Sequence, residues 1–121
     1  MNRYRKYLTP EDLLQEACVN YLQLQYPKVL FFHVPNEGKR TPFERFKAKV
    51  LGIKSGVSDL IILEPNRDFN GLAIELKVGA NTPTLNQKKF LQDAETKRFK
   101  SKVIKSFDAF KEFIDFYMSR K

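Results

Sequence analysis

Apolar residues recur at helical spacing in four stretches of the chain and form short uninterrupted runs in four others. Thr9-Pro10-Glu11-Asp12 reads as a helix start, because Thr9 caps, Pro10 suits the first helical position and Asp12 completes a capping-box pattern. Leu13, Leu14, Ala17, Cys18, Tyr21 and Leu22 then fall on one helical face, and Tyr26-Pro27 ends the helix. Val29 to Val34 reads as a strand closed by the turn Pro35-Asn36-Glu37-Gly38. A second helix runs from Thr41 to about Leu51, with Pro42 near its start and Gly52 beyond its end. Leu60-Ile61-Ile62-Leu63 and Leu72-Ala73-Ile74 read as short buried strands. The loop from Pro65 to Gly71 joins them, predicting an antiparallel hairpin. A third helix spans Thr84 to about Arg98, a short strand Lys102 to Ser106, and a last helix Phe107 to Met118. The predicted order is α-β-α-β-β-α-β-α: an α/β fold with a mixed central β-sheet flanked by helices.

No internal repeat, low-complexity segment or linker interrupts the pattern, so residues 1–121 are expected to form a single domain. Hydrophobic residues make up 42% and charged residues 30%, ordinary values for a globular chain, and 11 Phe with no Trp predict a Phe-rich core. A formal net charge of +8 favours an anionic partner, nucleic acid first among them. One Cys and one His leave no internal disulfide and no His/Cys metal site, so any metal must rest on carboxylates. No apolar run is long enough to span a membrane, and the N-terminal Met-Asn-Arg-Tyr-Arg-Lys-Tyr lacks the apolar centre of a signal peptide. The expected compartment is the cytoplasm.

The chemistry concentrates in Gly56-Val57-Ser58-Asp59-Leu60 and Ala73-Ile74-Glu75-Leu76-Lys77. Glu75 and Lys77 are two apart and share one face of a strand. Charges in an apolar segment are expected to be paired or to bind a metal. Two carboxylates with an adjacent lysine suit metal-dependent phosphodiester cleavage: the carboxylates hold a hard divalent cation and the lysine orients or deprotonates a water. Taken alone, Glu-x-Lys reads more readily as a cross-strand ion pair on an exposed sheet face.

The element order, with Asp on one strand and Glu-x-Lys on the next, resembles the PD-(D/E)XK nuclease superfamily. The closer match is its VRR-NUC branch, in the small stand-alone form found in phages and prophages. The resemblance is carried by Gly56 to Leu60, by Gly71 to Lys77 and by Gln87 in Pro83-Thr84-Leu85-Asn86-Gln87. Phe32-His33-Val34-Pro35-Asn36-Glu37 and Arg40 add to it. It covers about Glu11 to Tyr117 and implies a restriction-endonuclease-like core.

The resemblance implies catalytic roles for Asp59, Glu75, Lys77 and Gln87. Asp59, Glu75, the backbone carbonyl of Leu76 and an acid on the first helix would be the metal ligands. Glu11, followed by Gln15, fits the family spacing for that acid, and Glu16 is its rival. The family has Pro before the catalytic Asp where this chain has Ser58, which bears on the local turn. The implied cofactor is Mg²⁺ or Mn²⁺. The implied function is metal-dependent hydrolysis of DNA phosphodiester bonds, selective for four-way junctions or flaps. The implied partners are branched or duplex DNA and a second copy of the chain, with neither a membrane nor a small-molecule cofactor, in a bacterial host cell as a phage- or prophage-encoded protein. Asn36, Lys39, Arg40, Arg45, Lys49 and Lys54, with Lys47, are the candidate DNA contacts.

Each residue also has a plainer role. Glu11 suits a first helical turn because it offsets the helix dipole. Gln87 suits a solvated helix, His33 a structural hydrogen bond, Asn36 a turn, and the basic cluster a wet helix face. The alternative functions are a non-catalytic DNA-binding module that retains the nuclease fold, and an RNA-binding protein with a chance motif.

Overall fold

A computed structural model describes residues 2–35 and 40–121. After a single 3-10 turn at Arg3–Tyr7, the elements are α1 (Pro10–Gln25), β1 (Phe31–Phe32), α2 (Pro42–Leu51), β2 (Leu60–Ile62), β3 (Gly71–Leu76), α3 (Leu85–Thr96), β4 (Phe99–Ile104) and α4 (Phe107–Ser119). The order α-β-α-β-β-α-β-α is therefore as the hydrophobic pattern predicts. Three helices begin with the same device. At Thr9, Thr41 and Thr84 the threonine side chain accepts a backbone N–H three residues on, and the side chain of that residue bonds back to the threonine N–H.

The strands form one sheet in the order β1-β2-β3-β4. β2 pairs antiparallel with both neighbours, and β3 pairs parallel with β4. A parallel pair needs a crossover, which α3 supplies. Leu60, Ile62, Leu72, Ile74, Leu76 and Ile104 enter one core with Cys18 and Leu22 of α1 and Phe110, Ile114 and Tyr117 of α4. Tyr21 and Tyr26 both donate to Asp115 Oδ1, at 2.6 and 2.7 Å, and so tie α1 to α4. All six residues of β3 are buried, as expected of a central strand covered on both faces.

Two strands differ in length from the pattern. β1 keeps two paired residues of the six in its apolar run, and Pro35 just beyond has no N–H to extend a ladder. β4 begins at Phe99, upstream of its apolar stretch, because Lys100 and Lys102 lie within it, stretched over the rings of Phe69 and Phe113 at 5.9 and 6.0 Å. Among the described residues, no helix is long and apolar enough to cross a membrane.

Candidate active site

The register that pairs Leu60 with Ile74 brings Asp59, at the mouth of β2, opposite Glu75, near the end of β3. Asp59 is held firmly. Its Oδ2 accepts the Leu76 N–H at 2.6 Å, and its backbone carbonyl lies 2.6 Å from His33 Nδ1. Glu75 is 1% exposed, and both its carboxylate oxygens are buried without a hydrogen-bond partner. Lys77 Nζ stands 3.6 Å from Glu75 Oε2, near enough for attraction but beyond a hydrogen bond. Burial first, and then the neighbouring Asp59 carboxylate, push the Glu75 carboxyl up to about 8; Lys77 offsets this only in part.

A buried carboxyl with two unused oxygens is costly and uncommon. The chemistry of the pair fits a hard divalent cation, which takes oxygen ligands and, in the case of Mg²⁺, keeps several of its waters. Among the described residues no three His, Cys, Asp or Glu side chains converge tightly enough to form a metal cage. The structure offers a two-carboxylate pair on adjoining strands, with room for water.

That room is a cleft of about 500 Å³ beside the pair, lined among others by Thr9, Glu11, Val34, Val57, Asp59, Lys77, Asn81 and Gln87, whereas the buried Glu75 is not part of the lining. The first turn of α1 forms one wall and so brings Glu11 to the cleft. Glu16 is turned away from it, in a bidentate pair with Arg5 at 2.8 Å for both contacts, which holds its carboxyl below the usual range. Of the two rival acids, the rotation of α1 thus brings Glu11 to the cleft that Asp59 also lines and gives Glu16 a partner elsewhere.

Gln87 reaches the cleft wall and also closes the α3 capping box, its Oε1 accepting the Thr84 N–H at 2.8 Å. The Thr-x-x-Gln spacing at 84–87 carries that second role in the sequence itself. Gly56 fixes the approach of the Asp59 segment to α3. It has φ of 78°, and a Cβ there would lie 2.5 Å from the Asn86 carbonyl oxygen, so only glycine lets the loop close on the start of α3. Ser58, where the family has Pro, is fully buried, with its hydroxyl 3.5 Å from the Leu60 carbonyl.

The basic residues gather beside this site. Arg40, Arg45, Lys49 and Lys54 line a second concavity of about 530 Å³ between α2 and the following loop. Arg45 donates to the Arg40 carbonyl at 2.8 Å. Residues 54–57 run from this basic hollow directly into the wall of the acidic cleft. Lys47 does not line either cavity. Asn36 and Lys39, with the rest of the expected turn, lie outside the described residues.

A mixed sheet flanked by helices, with an Asp and a Glu-x-Lys meeting at the ends of neighbouring strands, defines a nuclease fold of the restriction-endonuclease-like class. No family model and no curated protein matches the chain. A solved structure described as a VRR_NUC domain protein superposes with a TM-score of 0.78 at 27% sequence identity, covering 93% of this chain and 90% of that one. The chain has the VRR-NUC fold, as its motifs imply.

Proposed function

We propose that this protein is a divalent-metal-dependent DNA endonuclease that hydrolyses phosphodiester bonds, selective for branched substrates such as four-way junctions or flaps. The observation that carries the reading is the buried Glu75 carboxyl, with both oxygens unpartnered, beside Asp59 and Lys77. A module that only bound DNA would gain nothing from such a group and would pay its desolvation cost. Likeness to a VRR_NUC domain protein supports the same class of activity.

Asp59, Glu75 and the Leu76 carbonyl would hold Mg²⁺ or Mn²⁺, with Glu11 on the same cleft as Asp59. When bound, the cation supplies charge stabilisation at the scissile phosphate and acidifies a water. Lys77 orients the attacking water and offsets charge that develops on the phosphate. The Leu76 N–H holds Asp59 in one rotamer, so one of its oxygens stays directed toward the site. Gln87 keeps the α3 terminus against the cleft. Arg40, Arg45, Lys49 and Lys54 receive the phosphate backbone as it leaves the acidic centre, which makes binding salt-dependent.

The test is cleavage of labelled four-way junction, flap, linear duplex, single-stranded DNA and RNA, each with Mg²⁺, with Mn²⁺ and with EDTA. The expected outcome is metal-dependent cutting of DNA, with the branched forms cut fastest. Binding without cutting under every metal condition would instead establish a non-catalytic DNA-binding module.

Cutting both strands of a junction needs two active sites, and a symmetric homodimer supplies them. The second copy has a candidate surface. Among the described residues, no other element packs against α2, yet Phe43, Phe46, Val50 and Leu51 on it are exposed by 68, 63, 64 and 64%. An unpartnered apolar helix face of this kind favours association. Light scattering is expected to give twice the mass of the chain for the wild type and a shift toward monomer for Phe46→Glu. A wild type that stays monomeric with and without DNA would remove the dimer from the reading.

A further inference from the structure

We infer that His33 is a positioning residue for the metal site, acting through Asp59; the inference rests on the nuclease reading above. Three observations converge on it. The first is the contact itself: His33 Nδ1 lies 2.6 Å from the Asp59 carbonyl oxygen. A carbonyl only accepts, so Nδ1 carries a proton and donates it to Asp59.

The second is the place of the contact. The β1–β2 ladder pairs Phe31 with Ile62 and Phe32 with Ile61, and then stops. Continued by two residues, that register would set Val34 opposite Asp59. The Asp59 carbonyl lies past the last paired residue, and the donor that reaches it is the His33 ring rather than a ladder N–H. The imidazole thus fastens the Asp59 main chain beyond the end of the ladder with a side-chain bond.

The third is what the bond holds. The Asp59 carboxylate is clamped by the Leu76 N–H from β3, and its main chain is clamped by His33 from β1. Removing the β3 clamp would free the side chain. Removing the β1 clamp would free the backbone on which the side chain is mounted. Groups behind metal ligands fix their orientation in this way, and losing one costs about 10–100-fold in metal affinity or activity.

The geometry also says which replacement preserves the function. An asparagine side-chain amide places its N–H donor about where Nδ1 stands, whereas glutamine places it near the other ring nitrogen. His33→Ala, His33→Asn and His33→Gln therefore form a graded set. The wild type and each variant are titrated with Mn²⁺ by calorimetry without DNA, melted without metal, and assayed for kcat and KM on junction DNA.

The expected result is a roughly tenfold or greater loss of Mn²⁺ affinity and of kcat in His33→Ala and His33→Gln. KM should stay within about twofold, and His33→Asn should recover most of both losses. Should His33→Ala fail to fold, the comparison of Asn with Gln still decides. Wild-type Mn²⁺ affinity in all three variants would overturn the inference and leave the nuclease reading intact. A rise in KM with unchanged metal affinity would also overturn it, making His33 a substrate contact. A wild type that binds no Mn²⁺ and cuts nothing would overturn both readings together.

Discussion

Asp59→Asn is expected to lower metal-dependent cleavage by about three orders of magnitude or more, because a lost charge ligand removes several kcal/mol of transition-state stabilisation. Above about pH 8, where Glu75 as well as Asp59 is charged, the same change should make the metal-free protein more stable. Asparagine keeps an oxygen for the Leu76 N–H, so the 2.6 Å clamp on β3 survives. The negative charge that faces Glu75 disappears, and this charge is a principal cause, after burial, of the raised Glu75 value. Activity and stability should therefore move in opposite directions, the pattern expected where a fold tolerates strain for function. Single-turnover cleavage with Mg²⁺ and Mn²⁺, alongside calorimetric melting in EDTA above about pH 8, checks both halves. Cleavage within about tenfold of wild type would remove Asp59 from the ligand set. A lower melting temperature would mean that the two carboxylates do not repel.

Metal-free protein is expected to lose stability as the pH rises. Glu75 titrates at about 8 in the folded chain, against the model-compound value of 4.5. Between those two values the folded state holds a proton that the unfolded chain has released, so each step up in pH favours unfolding. The effect is absent below the lower value and complete above the higher one. The full loss across that window is on the order of 5 kcal/mol, or roughly 15–25 °C in Tm for a domain of this size. Glu75→Gln should flatten that slope. A divalent cation competes with the proton for the same oxygens, so Mg²⁺ or Mn²⁺ should raise Tm more at about pH 8.5 than at about pH 6. Melting curves across pH, with cation or with EDTA, measure this directly. An equal cation effect at both pH values would place the bound ion elsewhere than at Glu75.

The helices were legible in the sequence because their starts carry their own chemistry. Thr9-x-x-Asp12 and Thr41-x-x-Glu44 are local signals, and both capping boxes form as spaced. The Asp59, Glu75 and Lys77 group was legible for a related reason: its members sit on one hairpin, where register follows from alternation and loop length. β4 was misjudged at its start because its lysines lie over aromatic rings and break the apolar pattern. Glu11 against Glu16 depended on how α1 is rotated, which the Arg5–Glu16 pair and the packing of Cys18 and Leu22 decide only in three dimensions. The His33 bond to Asp59 joins residues 26 apart in the chain, and nothing local marks it. Gln87 lay between these cases, since its family position pointed to the cleft while its bond to the Thr84 N–H emerged only in the structure.

The hairpin that carries the carboxylates also has a far end. Asp59 precedes β2 and Leu76 closes β3, so the loop from Leu63 to Asn70 emerges at the opposite end of the strands. That loop is fastened to the chain terminus: the Arg67 N–H donates to the Arg120 carbonyl, the Asn66 amide to the Tyr117 carbonyl, and Arg120 pairs with Asp68. The molecule thus has a working pole and an anchoring pole, with the sheet between them. A dye, a tether or a fused partner carried at the anchoring pole would sit a full strand length from the chemistry, on a segment whose backbone is already stitched in place. For surface immobilisation or single-molecule work, this is the handle the architecture offers.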